Sequence, residues 1–244
     1  MLVLYKGYSW EGASVGLGCD ESTIRKYFNT LVEKGVIGSV YDVIKKQYGK
    51  GKRFSTLYVD STSLMNKNES VLAEYFYKLK SKKSIKISAL VDDNKIPQSF
   101  VITRGAESDV KAIPDLIDGL CPDLLRKNVT VCGDKGYITQ DSQYIYNNNN
   151  KKWRKVKNPN SRKFVNRSGV KLTVIADKKR NQKGKNTKFE KRKLKKRYKV
   201  ENCFARNKGS FKRIEPVYDR KTANTEAFYQ LAICHMSLDI ILIT

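Results

Sequence analysis

The sequence predicts an α/β fold, and three observations carry that prediction. Apolar residues alternate with period two from Thr56 and again over Ser84–Val91 and Gln98–Thr103. A segment that reads as a buried strand, Asn128–Gly133, follows a stretch with helical spacing at about 109–120. Helical spacing also occupies both ends of the chain.

Residues 1–50 predict helices broken by glycines. Asp20-Glu-Ser-Thr supplies an N-cap signal, after which Ile24, Tyr27, Phe28 and Leu31 keep i, i+3, i+4, i+7 spacing up to Gly35. The pattern suits the second helix of a helix-turn-helix, with Thr23, Arg25, Lys26 and Asn29 outward toward a DNA groove. A plain small helical subdomain fits the same residues equally well. Thr56–Thr62 predicts a strand ending in Asp60, and Asp92-Asp-Asn94 a turn within a three-strand antiparallel meander. Val110, Ile113, Leu116, Ile117 and Leu120 then mark a helix, and the next strand also ends in an acid, Asp134. Tyr144–Asn150 enters an asparagine tract that predicts a loop, Lys171–Ala176 a short strand, and Lys178–Lys188 a basic linker. A long helix is expected from about Phe189 and a last one over Asn224–Ile243, so the second portion of the chain would span 54–244, with a basic insertion at about 138–190.

The charge is unevenly placed. Of 49 Lys and Arg against 24 Asp and Glu in 244 residues, 26 basic residues and only three acids (Asp177, Glu190, Glu201) lie between Lys151 and Arg213. Such a block repels itself unless a polyanion neutralises it, and nucleic acid is the usual one. Interleaved Trp153, Phe164, Val174, Ile175, Phe189 and Tyr198 favour a folded surface over a basic tail. Five scattered cysteines without C-x-x-C spacing, and no secretory signal, predict free thiols in a reducing compartment. The lone histidine, His235, reads as packing, so any metal should be a hard, oxygen-liganded cation. The apolar Met236–Thr244 run, interrupted by Asp239, is too short to span a bilayer.

Within the basic block, Arg197, Glu201, Phe204 and Lys208 fall within about 60° of one another on a helix. One stripe therefore carries a lone carboxylate between two cations, placed to meet a metal ion beside a phosphate. Asp60 and Asp134 each follow an apolar strand; were those strands parallel neighbours, the two acids would converge at one sheet edge, with Glu201 brought over it by a helix. Three gathered carboxylates are tenable only with cations bound, and two divalent ions about 3.5–4 Å apart would suit phosphodiester chemistry. Taken singly, Asp60 or Asp134 could be a turn or cap residue, and Glu201 a partner of Arg197.

Asp60-Ser-Thr, Gly133-Asp-Lys-Gly-Tyr137 and Arg197-x3-Glu201-x6-Lys208 together resemble the catalytic set of DDE transposases of the bacterial insertion-sequence four/five group. The last element is similar to that group's Y-x2-R-x3-E-x6-K signature, and the likeness continues through Phe211-Lys-Arg-Ile214, Val217-Tyr-Asp-Arg220 and the helical tail. Val174–Asn181 resembles the strand and basic loop that precede the glutamate in that group. The resemblance implies an RNase H-like mixed five-stranded sheet flanked by helices. It further implies cleavage and strand transfer dependent on Mg2+ or Mn2+, at two ions held by Asp60, Asp134 and Glu201. Arg197 and Lys208 would contact the phosphates of transposon ends, with Arg25 and Lys26 as further DNA contacts. The implied partners are double-stranded DNA, as terminal inverted repeats and target, and a second copy of the chain on that DNA. The resemblance also implies no membrane partner and an intracellular location, nucleoid-associated if the host is bacterial. Two departures stand out: Leu194 occupies the signature's tyrosine position, and Ala176-Asp177 replaces the usual prolines. A nuclease of the same fold without strand transfer, or a basic DNA-binding protein descended from such an enzyme, shares these features.

Overall fold

A computed structural model describes residues 2–68, 70–76, 82–137, 143–147, 152–156, 163–165, 169–177 and 186–243. Four helices open the chain: α1 (Leu2–Lys6), α2 (Trp10–Leu17), α3 (Glu21–Glu33) and α4 (Val36–Gly49). Ser9 caps α2 by accepting the Gly12 amide, and left-handed glycines, Gly18 and Gly35, separate α2, α3 and α4. α3 has the expected helical span, yet it buries no residue completely, and Tyr27 is 68% exposed. Phe28 is the member of that face that reaches the interior, stacking on Phe228 at 4.7 Å.

The sheet is built on β1 (Phe54–Met65), β3 (Lys82–Val91), β4 (Pro97–Arg104), β5 (Leu125–Gly133) and β9 (Lys171–Ala176). Its central order is β4-β3-β1-β5-β9, with β1, β3 and β4 antiparallel and β1, β5 and β9 parallel. Two short strands extend the five expected ones to seven: β2 (Glu74–Phe76) on β3, and β8 (Lys163–Val165) on β9. This is the mixed, helix-flanked sheet of the RNase H-like class. β6 (Gln143–Asn147) and β7 (Lys152–Val156) form a separate hairpin, so the residues leading into the asparagine tract make a strand where a loop was expected. The tract's end, 148–150, and most of the expected basic linker, 178–185, lie outside the described residues.

Period-two alternation assigns each sheet face its helices. Leu57 and Val59 of β1, with Val129 and Val131 of β5, pack on α5 (Ile113–Asp118) through Ile113, Leu116 and Ile117. Tyr58, Leu64 and Cys132 face the other way, toward α4, α7 (Tyr198–Ser210) and α8 (Thr222–Ile241). Burying each such apolar side chain stabilises the fold by roughly 1.5–3 kcal/mol, enough to fix the facing of residues between them. The N-terminal helices share this second core: Val3, Leu4, Ala13, Tyr41 and Tyr48 belong to it.

The β3–β4 turn is anchored by acids. Asp92 is 1% exposed and accepts from Tyr48 Oη (2.6 Å), the Asn94 and Ile96 amides (2.9 Å each) and Gln98 Nε2 (3.1 Å). Its neighbour Asp93 accepts from Tyr58 Oη at 3.0 Å and pairs with Lys199 of α7. The turn therefore holds β3–β4 against both α4 and α7.

Candidate active site

β1 does not end at Asp60 as the alternation suggested; it continues to Met65. Its pairing with β5, however, stops at Tyr58↔Cys132, while pairing with β3 runs on through Met65↔Ser84. Asp60 thus stands two residues past the last β5 partner, and Asp134 two residues past Cys132. Carrying the parallel register forward by two brings the acids side by side at the carboxyl ends of these strands. Gly133 permits the close approach just before Asp134. A Cβ there would stand 2.9 Å from both Tyr137 Cδ2 and Val59 Cγ1.

The third acid arrives on a helix that is broken where one continuous helix was expected. α6 (Lys188–Leu194) begins with a capping box between Thr187 and Glu190, passes through a 3-10 turn at Lys195–Arg197, and resumes as α7. Asn186 Nδ2 donates to Ala176 O at 3.0 Å, and Lys193 Nζ to Thr130 Oγ1 at 2.8 Å, tying α6 to β9 and β5. Leu194, where the resembled signature has tyrosine, is 9% exposed within the core, so packing takes the place of a hydroxyl. α7 then buries Val200, Cys203 and Phe204 against the sheet, which turns the Arg197–Glu201 stripe toward Asp60.

Arg197 joins two of the acids. Its Nη1 donates to Asp60 Oδ2 at 2.6 Å and its Nη2 to Glu201 Oε1 at 2.5 Å. Asp60 Oδ1 accepts the Ser61 amide at 2.9 Å, and Asp134 Oδ1 the Gly136 amide at 2.7 Å. Burial pushes the Asp60 carboxyl above its ordinary value; the Ser61 amide and Arg197 pull it down, and Asp134 and Glu201 push it up again. The last effect registers all three acids in one electrostatic neighbourhood. Glu201 is half-exposed, which leaves the site open to solvent on the α7 side.

Among the described residues, no group of three or more His, Cys, Asp or Glu side chains closes on a point as metal ligands do. A guanidinium lies between Asp60 and Glu201 instead. The donor set nonetheless suits a hard divalent cation: every available ligand atom is a carboxylate oxygen, and a half-buried Asp60 beside two further acids favours added positive charge.

The remaining expected residues fall as follows. Lys208, on the same α7 stripe, pairs with Glu215 at 2.7 Å and donates to Ser63 O of β1 at 3.2 Å. Arg25 is exposed on α3 and pairs with Glu21 of its own helix, and Lys26 is exposed beside it. His235, partly exposed, packs edge-on against Tyr5 at 4.9 Å and Phe211 at 5.8 Å. All five cysteines are free thiols. No helix of the described residues is long and apolar enough to cross a membrane.

Sequence reasoning missed Asp109. It sits on a 3-10 turn (Asp109–Ala112) over the α5 face, and its Oδ1 accepts from Ser61 Oγ at 2.6 Å and Lys86 Nζ at 3.0 Å. The available signal was its place five residues beyond β4, in Glu107-Ser-Asp109, at the start of the apolar helix spacing. That position reads most simply as a helix cap.

Comparison with known families gives one match: the family model described as "Transposase DDE domain" fits residues 51–237. No curated protein and no solved structure matches the chain.

Proposed function

The chain belongs to the transposase DDE domain family, and on that premise we propose that it cuts DNA at the ends of a mobile element and joins the freed 3′-hydroxyl to target DNA. Members of the family act on DNA and generally use divalent metal ions. The observation that supports the reading is the register: β1 and β5 run parallel and in step from Thr56↔Thr130 to Tyr58↔Cys132, and that register carried forward by two brings Asp60 level with Asp134 under the α7 stripe bearing Glu201.

Asp60, Asp134 and Glu201 would hold the ions, a pair of Mg2+ or Mn2+. When bound, they would polarise the scissile phosphodiester and lower the pKa of the attacking water or hydroxyl. The chain's own residues supply the rest. Arg197 holds Asp60 and Glu201 in place by charge-assisted hydrogen bonds, and its guanidinium is suited to bind a phosphate oxygen when a cation takes its acids. Lys208 stands on the same stripe as a second phosphate contact, and the exposed cations of α6 (Lys191 and Arg192) continue the positive surface. Arg25 and Lys26 on the exposed flank of α3 are proposed contacts to the terminal inverted repeats, bound by a pair of chains.

Two other readings differ from this one in a single measurement. Asp60→Ala, Asp134→Ala and Glu201→Ala should each abolish metal-dependent cleavage of end DNA while leaving DNA affinity near wild type. A binding-only protein would show no cleavage by wild type. A nuclease of the same fold would cleave but form no joined product on a target plasmid.

A further inference from the structure

We propose that Asp109, acting through Ser61, is a positioning residue for the catalytic acids. The inference rests on the reading of Asp60 and Asp134 as metal ligands. Strand alternation turns Asp60 toward α7 and the next residue, Ser61, toward the opposite face. The Ser61 amide donates to Asp60 Oδ1 at 2.9 Å, and its hydroxyl donates to Asp109 Oδ1 at 2.6 Å. One residue therefore holds the carboxylate with its backbone while a second acid holds that residue's side chain.

Asp109 is itself fixed. Lys86 of β3, 7% exposed, donates to it at 3.0 Å and also to the Glu107 carbonyl. The assembly continues to the other acid. Tyr137, three residues beyond Asp134 and 3% exposed, packs in one apolar cluster with Val59 of β1 and Ala112 of the turn that carries Asp109. Gly136 lies between the two carboxylates: a Cβ there would stand 2.9 Å from Asp134 Oδ1 and 3.6 Å from Asp109 Oδ2. Lys86, Asp109, Ser61 and Tyr137 thus couple β1 to the turn after β5, the two segments whose relative position decides whether Asp60 and Asp134 share a ligand site.

A partly buried Lys–Asp pair, with side chains 9% and 29% exposed, still costs some desolvation that an apolar pair would avoid, so its placement against the residue following Asp60 calls for a role besides packing. Groups that orient metal ligands from behind typically change metal affinity by ~10-fold or more when removed.

The test compares full-length wild type with Asp109→Asn and Ser61→Ala, the second removing only a hydroxyl should the first fail to fold. Mn2+ binding is measured by calorimetry, cleavage of end DNA is measured at saturating Mn2+, and melting temperature is measured in EDTA. The expected result is a Mn2+ dissociation constant raised about 10-fold in both variants. Most of the lost cleavage should return at saturating metal, and Asp109→Glu should recover part of the affinity. Lowered melting with Mn2+ affinity and cleavage within about twofold of wild type would make the cluster structural only and overturn the proposal. Wild type that binds no Mn2+ would instead sink the metal-ligand reading, and this inference with it.

Discussion

Arg197→Met isolates the charge that holds the acids, because methionine keeps most of the apolar stem while removing the guanidinium. The side chains of Arg197 and Asp60 are 28% and 20% exposed, so their 2.6 Å bond belongs with partly buried charged hydrogen bonds, worth about 1.5–3 kcal/mol. The bond to Glu201 reaches a half-exposed carboxylate and adds about 0–1 kcal/mol. Loss of both, less what the acids recover by spreading into solvent, comes to about 2 kcal/mol, or a fall in melting temperature of about 4–8 °C for a chain of this size. Calorimetry in EDTA reads that fall directly. Repeating it in millimolar MgCl2 should raise the variant's melting temperature by more than wild type's, because the ion supplies the charge the variant lacks. A fall below about 1 °C in EDTA, or equal gains with magnesium, would refute the claim that Arg197 neutralises the site.

Lys208→Ala should weaken binding to end DNA and lower the slope of log affinity against log salt by about one, as expected for one lost phosphate contact; an unchanged slope would confine Lys208 to its pairing with Glu215 and Ser63. Asp92→Asn tests the buried turn. Burial holds the Asp92 carboxyl above its ordinary value despite four donors. A group so raised contributes stability below its unfolded value of about 4, and that contribution is lost as pH rises through the folded value. Urea melts should therefore show wild type gaining on Asp92→Asn at about pH 4 relative to about pH 7, and a difference that grows toward neutrality would refute the assignment.

Local chemistry made much of the fold readable. Alternation in β1, β3 and β4 and the buried-strand segment of β5 located four strands within a few residues, and the sharp apolar spacing of 109–120 located the helix that covers them. The same rule misplaced the end of β1. Beyond Asp60 the residues Ser61, Thr62 and Ser63 are polar, and only pairing to β3 keeps them extended. The helix carrying Glu201 was legible as a stripe, but the 3-10 break at Lys195–Arg197 was not, since a run of basic residues carries no break signal. Asp109 was invisible as part of the site because its partners, Ser61 and Lys86, lie 48 and 23 residues away along the chain.

The residues themselves settled which groups would be present: carboxylates after apolar strands, a lone glutamate in a basic stripe, and the side of the strand each would occupy. Those features follow from period and charge, which act over a few residues. Which strands became neighbours, the step that set Asp60 level with Asp134, the seating of Arg197 between Asp60 and Glu201, and the brace behind Ser61 were decided only on folding. Pairing register and packing between distant segments depend on how the whole set of apolar faces can be buried at once, and no short window of sequence contains that information.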